Sequence, residues 1–311
     1  MERLEEFRFY YNHTIYPELL RMERQRLRLM RLLALAVVVL AGMITLQFYL
    51  NIMVITLFML IPHSLFILYL LYQIDRFRKS FKPNVVELLL DFIDNGTNFD
   101  SNFPMSYTPA GGISKQNFLD SGIFVAKIDA FKAEDTIRGR IGELDFVLSE
   151  LRVRETAMVR NDLDVVFQGV FLHARFKALV AGEMIVWPRS QRPYLTRAIK
   201  AFTAKGALNV DHEIMNDEFR ELFLTYATPN THVAGILPET MQQAIVQYYH
   251  EVHKDIYFAF HEQNFFVAIT EPKDLLEPYI LWSNLSYGLV LEFMEDITLV
   301  LRIVHEFDQK I

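Results

Sequence analysis

If this chain performs chemistry, its histidines are the first place to look. His250-Glu251-Val252-His253 sets two imidazoles three residues apart around a carboxylate. On a helix that spacing brings both rings to one side. With His261 they form a candidate metal set, His250, His253 and His261. The zinc-protease pattern needs histidines four apart, so this one is a residue short and would take its third ligand from elsewhere. The structural reading of these side chains, as surface histidines or supporting neighbours of a site, is the one adopted, and no metal or other cofactor is expected. Gly139-Arg140-Ile141-Gly142 and Gly111-Gly112 lack the Lys and Ser/Thr of a phosphate-cradling loop. Asp162 and Asp164 suit a solvated strand edge better than a general-acid pair. No serine stands in a nucleophile-elbow pattern. Cysteine is absent, which excludes disulfides, thiolate catalysis and Cys-ligated metals. No catalytic residue is assigned.

The elements that would carry these residues follow from periodicity. Leu144, Phe146 and Leu148 alternate with less apolar neighbours after Gly139–Glu143, which predicts a hairpin turning there. Asn161-Asp162 reads as a further turn. Val165–Phe176 and Glu183–Trp187 read as strands, with Gly169 marking a bulge or close packing and Pro188 ending the second. Residues 219–227 read as another strand. Pro238 opens a helix through Val252 with Met241, Ile245, Tyr248 and Tyr249 on its buried stripe. Ile256–Phe260 and Phe265–Ile269 form a second hairpin, and a last helix covers 287–307. In each of the pairs Tyr248-Tyr249 and Phe265-Phe266, one ring is expected inward and one outward. Residues 95–116 read as a connector. The order strands, helix, hairpin, helix predicts an α+β domain with an antiparallel sheet.

The remaining signal is solvation. Hydrophobic residues make up 52% of the chain, and residues 32–74 contain no Lys, Arg, Asp or Glu. About 20 helical residues cross a ~30 Å hydrocarbon core, so the run is long enough for two spans, residues 32–50 and 53–74, reversing near Gln47 and Asn51. Pro62 and His63 fall inside the second span, with His63 bonded within the helix pair. Arg21, Arg24, Arg26, Arg28 and Arg31 precede the run; Arg76, Arg78, Lys79 and Lys82 follow it. Basic flanks prefer the cytoplasm, which places both termini inside and predicts a multi-pass protein of the inner (plasma) membrane. The fold class is therefore a two-helix transmembrane hairpin plus a cytoplasmic α+β domain. Its expected segments are a helical arm at 1–31 divided by Pro17, the hairpin at 32–74, a juxtamembrane helix (Val85–Ile93) and connector at 75–116, and the domain at 117–311. Residues 1–82 carry net charge +5 and the remainder −12. That balance fits anionic headgroups beside the hairpin and argues against a nucleic-acid partner. The expected partners are the lipid bilayer and another membrane protein or a second copy of the chain, with Ala34, Ala36, Ala41 and Gly42 allowing close helix contact.

Several segments together resemble a bacterial membrane-protein family catalogued as domain of unknown function 3137. They are Ser121-Gly122-Ile123-Phe124, Val166-Phe167-Gln168-Gly169-Val170-Phe171, Ile236-Leu237-Pro238-Glu239-Thr240-Met241 and Phe265-Phe266-Val267-Ala268-Ile269. Leu275-Leu276-Glu277-Pro278 follows the family's late segment, with Leu276 where Phe is common. These are packing and turn signals. The resemblance implies a membrane protein with a small membrane-anchored partner, and it carries over no catalytic residue. Three function classes follow. The leading one is a membrane-tethered, non-catalytic binding or scaffold protein. The others are a membrane-associated enzyme with a His-containing pocket and a lipid-binding module with an apolar cavity.

Overall fold

The charge-free run folds as parts of two long helices. The computed structural model describes residues 2–50, 53–94, 104–142, 144–156, 163–175, 181–272 and 278–308. They fall into two units, residues 1–92 with 275–293, and residues 93–274 with 294–311.

The first unit begins with α1 (Glu2–Tyr10), a π-helical turn (Tyr11–Ile15), α2 (Tyr16–Leu50) and α3 (Met53–Asp94). The break in the arm is the π turn, just ahead of Pro17. The proline ring would crowd the carbonyl four residues back, and a locally widened helix relieves that. Val85–Ile93 is not a separate helix; α3 runs through it and holds both Pro62 and Pro83. The expected reversal at Asn51 lies outside the described residues. Nε2 of His63 lies 2.8 Å from the Ala36 carbonyl oxygen, bonding the helix pair at a small-residue position. Both helices are long and apolar enough to cross a membrane, yet only 6% and 11% of their most apolar windows are buried. Phe48 and Phe58 stand 86% and 80% exposed.

Below this apolar stretch the arm is packed. Phe7 is buried and touches Phe92 and Tyr287 at centroid distances of 5.2 and 6.0 Å. Arg26 forms a buried, two-pronged pair with Glu23 on α2, at 2.6 and 3.0 Å. The pair also holds a loop, because Arg26 donates Nη1 to the Ile280 carbonyl at 2.6 Å and Glu23 accepts the Asn284 amide at 3.4 Å. Asn284 then closes the loop, its side chain bonding the Tyr279 amide and carbonyl at 2.7 and 2.9 Å. Burial pushes the Glu23 carboxyl up. The hydrogen bond from Arg26, the Asn284 amide and the Arg26 charge outweigh it and hold the carboxyl below its ordinary value of 4.5. A depressed carboxyl stabilises the fold above its unfolded pKa, and that contribution is lost as pH falls through the folded value. Acidification below about pH 4.5 is therefore expected to free the Tyr279–Asn284 loop, read as increased acrylamide quenching of Trp282. An E23Q variant should lack the transition.

The second unit is built on a nine-stranded sheet in which every pairing is antiparallel, in the order β1-β2-β3-β4-β9-β8-β5-β7-β6. In chain order its elements are β1 (Ser106–Ala110), α4 (Lys115–Asp120), β2 (Ile128–Ile141), β3 (Leu144–Thr156), β4 (Leu163–Arg175), β5 (Glu183–Pro188), α5 (Thr196–Ala204), β6 (Leu208–Asn209), α6 (Asp217–Leu222), β7 (Phe223–Ala227), α7 (Val233–Ile236), α8 (Glu239–Val252), β8 (Ile256–His261) and β9 (Asn264–Thr270). α9 (Tyr287–Asp308) contributes its residues from Met294 onward to this unit.

Four sequence expectations change. The 95–116 stretch is not all connector, since β1 pairs with β2 and α4 begins at Lys115. Residues 217–222 are helical, capped by Asn216, whose side chain accepts from the Phe219 amide, so the strand starts only at Phe223. Pro238 stands at the N-cap of α8, outside its first turn. Phe265 and Phe266 are both buried, because β9 is a central strand covered on both faces. The turn expected at Asn161-Asp162 lies outside the described residues. One face carries the aromatic cluster of Phe118, Phe124, Phe167, Phe171, Tyr257 and Phe266, against which Ala198 and Phe202 of α5 pack. Trp187 is fully buried there and donates Nε1–H to the Ile123 carbonyl at 2.9 Å.

Candidate functional site

Beside the aromatic cluster lies a groove of about 730 Å³. Several elements position its lining. Pro188 ends β5, and the following turn is fixed by Arg189, which donates to the Arg220 and Phe223 carbonyls and to Asp211. Ser190 and Gln191 bond the Asp255 carboxylate at 3.2 and 2.7 Å. This anchored turn leads into α5, and together they form one wall, through Tyr194 and Leu195 of the turn and Arg197 of the helix. Phe124 and Tyr257, 4.9 Å apart, form the floor. Val165 of β4 lies opposite and is 57% exposed; Tyr194 is 84% exposed. Arg197 bridges to Glu155 at 3.2 Å on the rim. Burial, and next the nearby Asp255 charge, push the Tyr257 phenol well above its ordinary value, so it remains a neutral hydrogen-bonding group.

The β4 wall is also a strand edge. β9 pairs with β4 only from Gly169 to Arg175, and the last backbone bond runs from the Glu271 amide to the Gln168 carbonyl. Leu163–Phe167 continue past it, paired with β3 on one side. Among the described residues no strand pairs with the other side of Val165–Phe167. An exposed edge of this kind can accept an extended chain through main-chain hydrogen bonds.

The histidine candidates do not share a site. His250 of α8 pairs with Glu218 of α6 at 2.7 Å. His253 is the left-handed residue that terminates α8, with φ 52°. His261, at the end of β8, contacts Glu183 of β5 at 2.9 Å. Among the described residues, no three His, Asp or Glu side chains are grouped to hold a metal. Asp164 lines the groove; Asp162 lies outside the described residues. Of the basic flank, Arg21, Arg24, Arg28, Arg31, Arg76, Arg78 and Lys79 are exposed. Arg26 and Lys82 are buried. Arg26 is therefore committed to the loop described above, and Glu23 one turn earlier neutralises it.

One polar cluster was invisible in the sequence. Lys254 Nζ lies 2.8 Å from Glu271 and 2.8 Å from Asp296, with all three side chains nearly buried. The Tyr248 hydroxyl donates to Asp296 at 3.4 Å. Burial would lower the lysine's pKa, but the Asp296 charge and the hydrogen bonds to Asp296 and Glu271 outweigh it and raise the value. Burial, and then Asp296, also raise Tyr248. A lysine nucleophile or base needs the opposite shift, so this arrangement is a charged clamp.

Residues 165–309 match the family model described as protein of unknown function (DUF3137). This stretch is similar to that family. The matched stretch contains Val165–Phe167 of the β4 edge, the α5 wall of the groove and the Lys254 clamp, while Phe124–Ala126, Glu155 and Asp164 come from before it. A search of curated proteins gives no match. Among solved structures, the crystal structure of the mycobacterial trehalose monomycolate transport factor A is similar at 8% identity, over 64% of this chain and 88% of that one, with a TM-score of 0.30. At that level the similarity carries no argument about function.

Proposed function

We propose that this protein is a membrane-tethered, non-catalytic binding module that receives an extended segment of a protein partner in the groove beside β4. The single observation behind this reading is the groove's construction: an aromatic floor, exposed Val165 and Tyr194, and a strand edge with no pairing strand among the described residues. Such a site offers main-chain hydrogen bonds for affinity and apolar contacts for selection. α2 and α3 form a transmembrane hairpin, with both termini cytoplasmic and the chain in the inner membrane. The exposed apolar girth of the helices supports this, as do the seven exposed basic residues beside them. Tethering keeps the groove at a high effective concentration near membrane-bound partners.

A photocrosslinking amino acid at Tyr194, in the full chain in native membranes, is expected to give a discrete protein adduct. Val165→Asp (V165D) should reduce it at least about tenfold, the cost of placing a charge against apolar surface. The same label at Met215, which is 68% exposed elsewhere on this unit, is the control. Equal adduct from positions 194 and 215 would reject the groove as the binding site, and adducts with lipid alone would favour a lipid-binding module.

A further inference from the structure

We propose that the Tyr279–Trp282 loop is a membrane-interface anchor that seats Leu281 and Trp282 in the headgroup layer beside α2. The proposal rests on the membrane reading above. It is carried by an arrangement that burial alone does not account for. Tyr279, Leu281 and Trp282 are 51%, 73% and 73% exposed. Their backbone, by contrast, is rigidly held. The buried Glu23–Arg26 pair grips Ile280 and Asn284, and the Asn284 side chain closes the loop. Ordering a loop in order to display a tryptophan and a leucine to water gains nothing from the hydrophobic effect. Such side chains gain free energy only where an apolar medium meets them.

The position of the grip identifies that medium. Arg26 lies six residues before Leu32, where the charge-free run begins. At 1.5 Å per residue the separation is about 9 Å along α2, comparable with the roughly 5–8 Å of headgroup layer on each side of the hydrocarbon. Trp and Tyr concentrate at this depth, where the ring is solvated by acyl chains and its polar atom by headgroups. Arg24, Arg28 and Arg31 on the same stretch of α2 are exposed and supply positive charge for anionic headgroups. Arg26 and Glu23 thus act as positioning residues: they spend a buried ion pair on fixing a loop at one depth.

The chain contains only two tryptophans, and Trp187 is fully buried in the sheet unit, which makes the test direct. The full chain is reconstituted in phosphatidylcholine/phosphatidylglycerol vesicles, and part of the phosphatidylcholine is then replaced by its acyl-brominated form. Brominated lipid should remove roughly half of the tryptophan emission, the share of one ring at the interface. In Trp282→Phe (W282F) the remaining emission should not respond. Carbonate washing is run in parallel. A chain that stays in the pellet but shows no bromolipid quenching overturns the anchor while leaving the transmembrane hairpin standing. Blue-shifted Trp282 emission without quenching also overturns it, because the loop would then be covered by protein. A chain released by carbonate overturns both readings.

Discussion

Replacing Lys254 with Met (K254M) should destabilise the sheet unit by about 3–5 kcal/mol, the range for removing one partner of a buried ion pair. The volume change is small, so the cost is electrostatic. Lys254, Glu271 and Asp296 have side-chain exposures of 13%, 6% and 7%, and methionine leaves two carboxylates facing one another out of water. The effect is checked by denaturant titration of the full chain in micelles, followed by Trp187 emission in a W282F background. Two further results separate this mechanism from a packing defect. K254M combined with Asp296→Asn should recover part of the loss, and K254M should gain stability on acidification as protonation removes the buried charge. In the wild type the linkage lies on the alkaline side. The Lys254 pKa is raised in the folded state, so its contribution is complete below about pH 10.5 and disappears as pH climbs through the higher folded value. K254M lacks that alkaline step.

The sequence showed local pattern and missed assembled geometry. The β8–β9 hairpin was legible because Ile256–Phe260 and Phe265–Ile269 are short apolar runs around a polar turn. The bonding of His63 within the helix pair was legible because a polar ring in an otherwise apolar run has few other partners. The first half of β2 was not, because Asp129, Lys132 and Glu134 interrupt its apolar pattern and a register shift falls between Glu134 and Ile137. β1 is short, largely exposed and contains proline, so it resembles a loop. Residues 219–222 looked like strand because the Phe219–Leu224 run satisfies either period; the Asn216 cap decided for helix. The groove draws on residues from Phe124 to Tyr257, and the clamp joins positions 42 apart. No local spacing announces either. Arg26 was grouped with the membrane flank because net charge cannot show which arginine is already paired.

Gly169→Ala (G169A) is expected to be as damaging as K254M, for a steric reason. Gly169 has φ +149°, and a Cβ there would lie 2.1 Å from the Ile269 carbonyl oxygen and 2.6 Å from the Glu271 amide nitrogen. Both obstacles are backbone atoms of the neighbouring strand, so no rotamer change can relieve the clash. Backbone strain alone costs about 1–3 kcal/mol; with the clash added, the loss should be roughly 3 kcal/mol or more. Gly206→Ala is the control for strain without contact, since Gly206 has φ +94° but open space around it, and it should cost only about 1 kcal/mol. Denaturant midpoints of the two variants, read at Trp187, measure the difference. The position gives the result its wider meaning. Gly169 sits at the last rung before β4 leaves β9 and becomes the wall of the groove, and the residue its side chain would displace, Glu271, is a member of the Lys254 clamp. The two substitutions should therefore be non-additive, with G169A costing less in a K254M background than in the wild type. Additive losses would show instead that the β9 end and the clamp respond independently, and that the groove edge is held by the sheet alone.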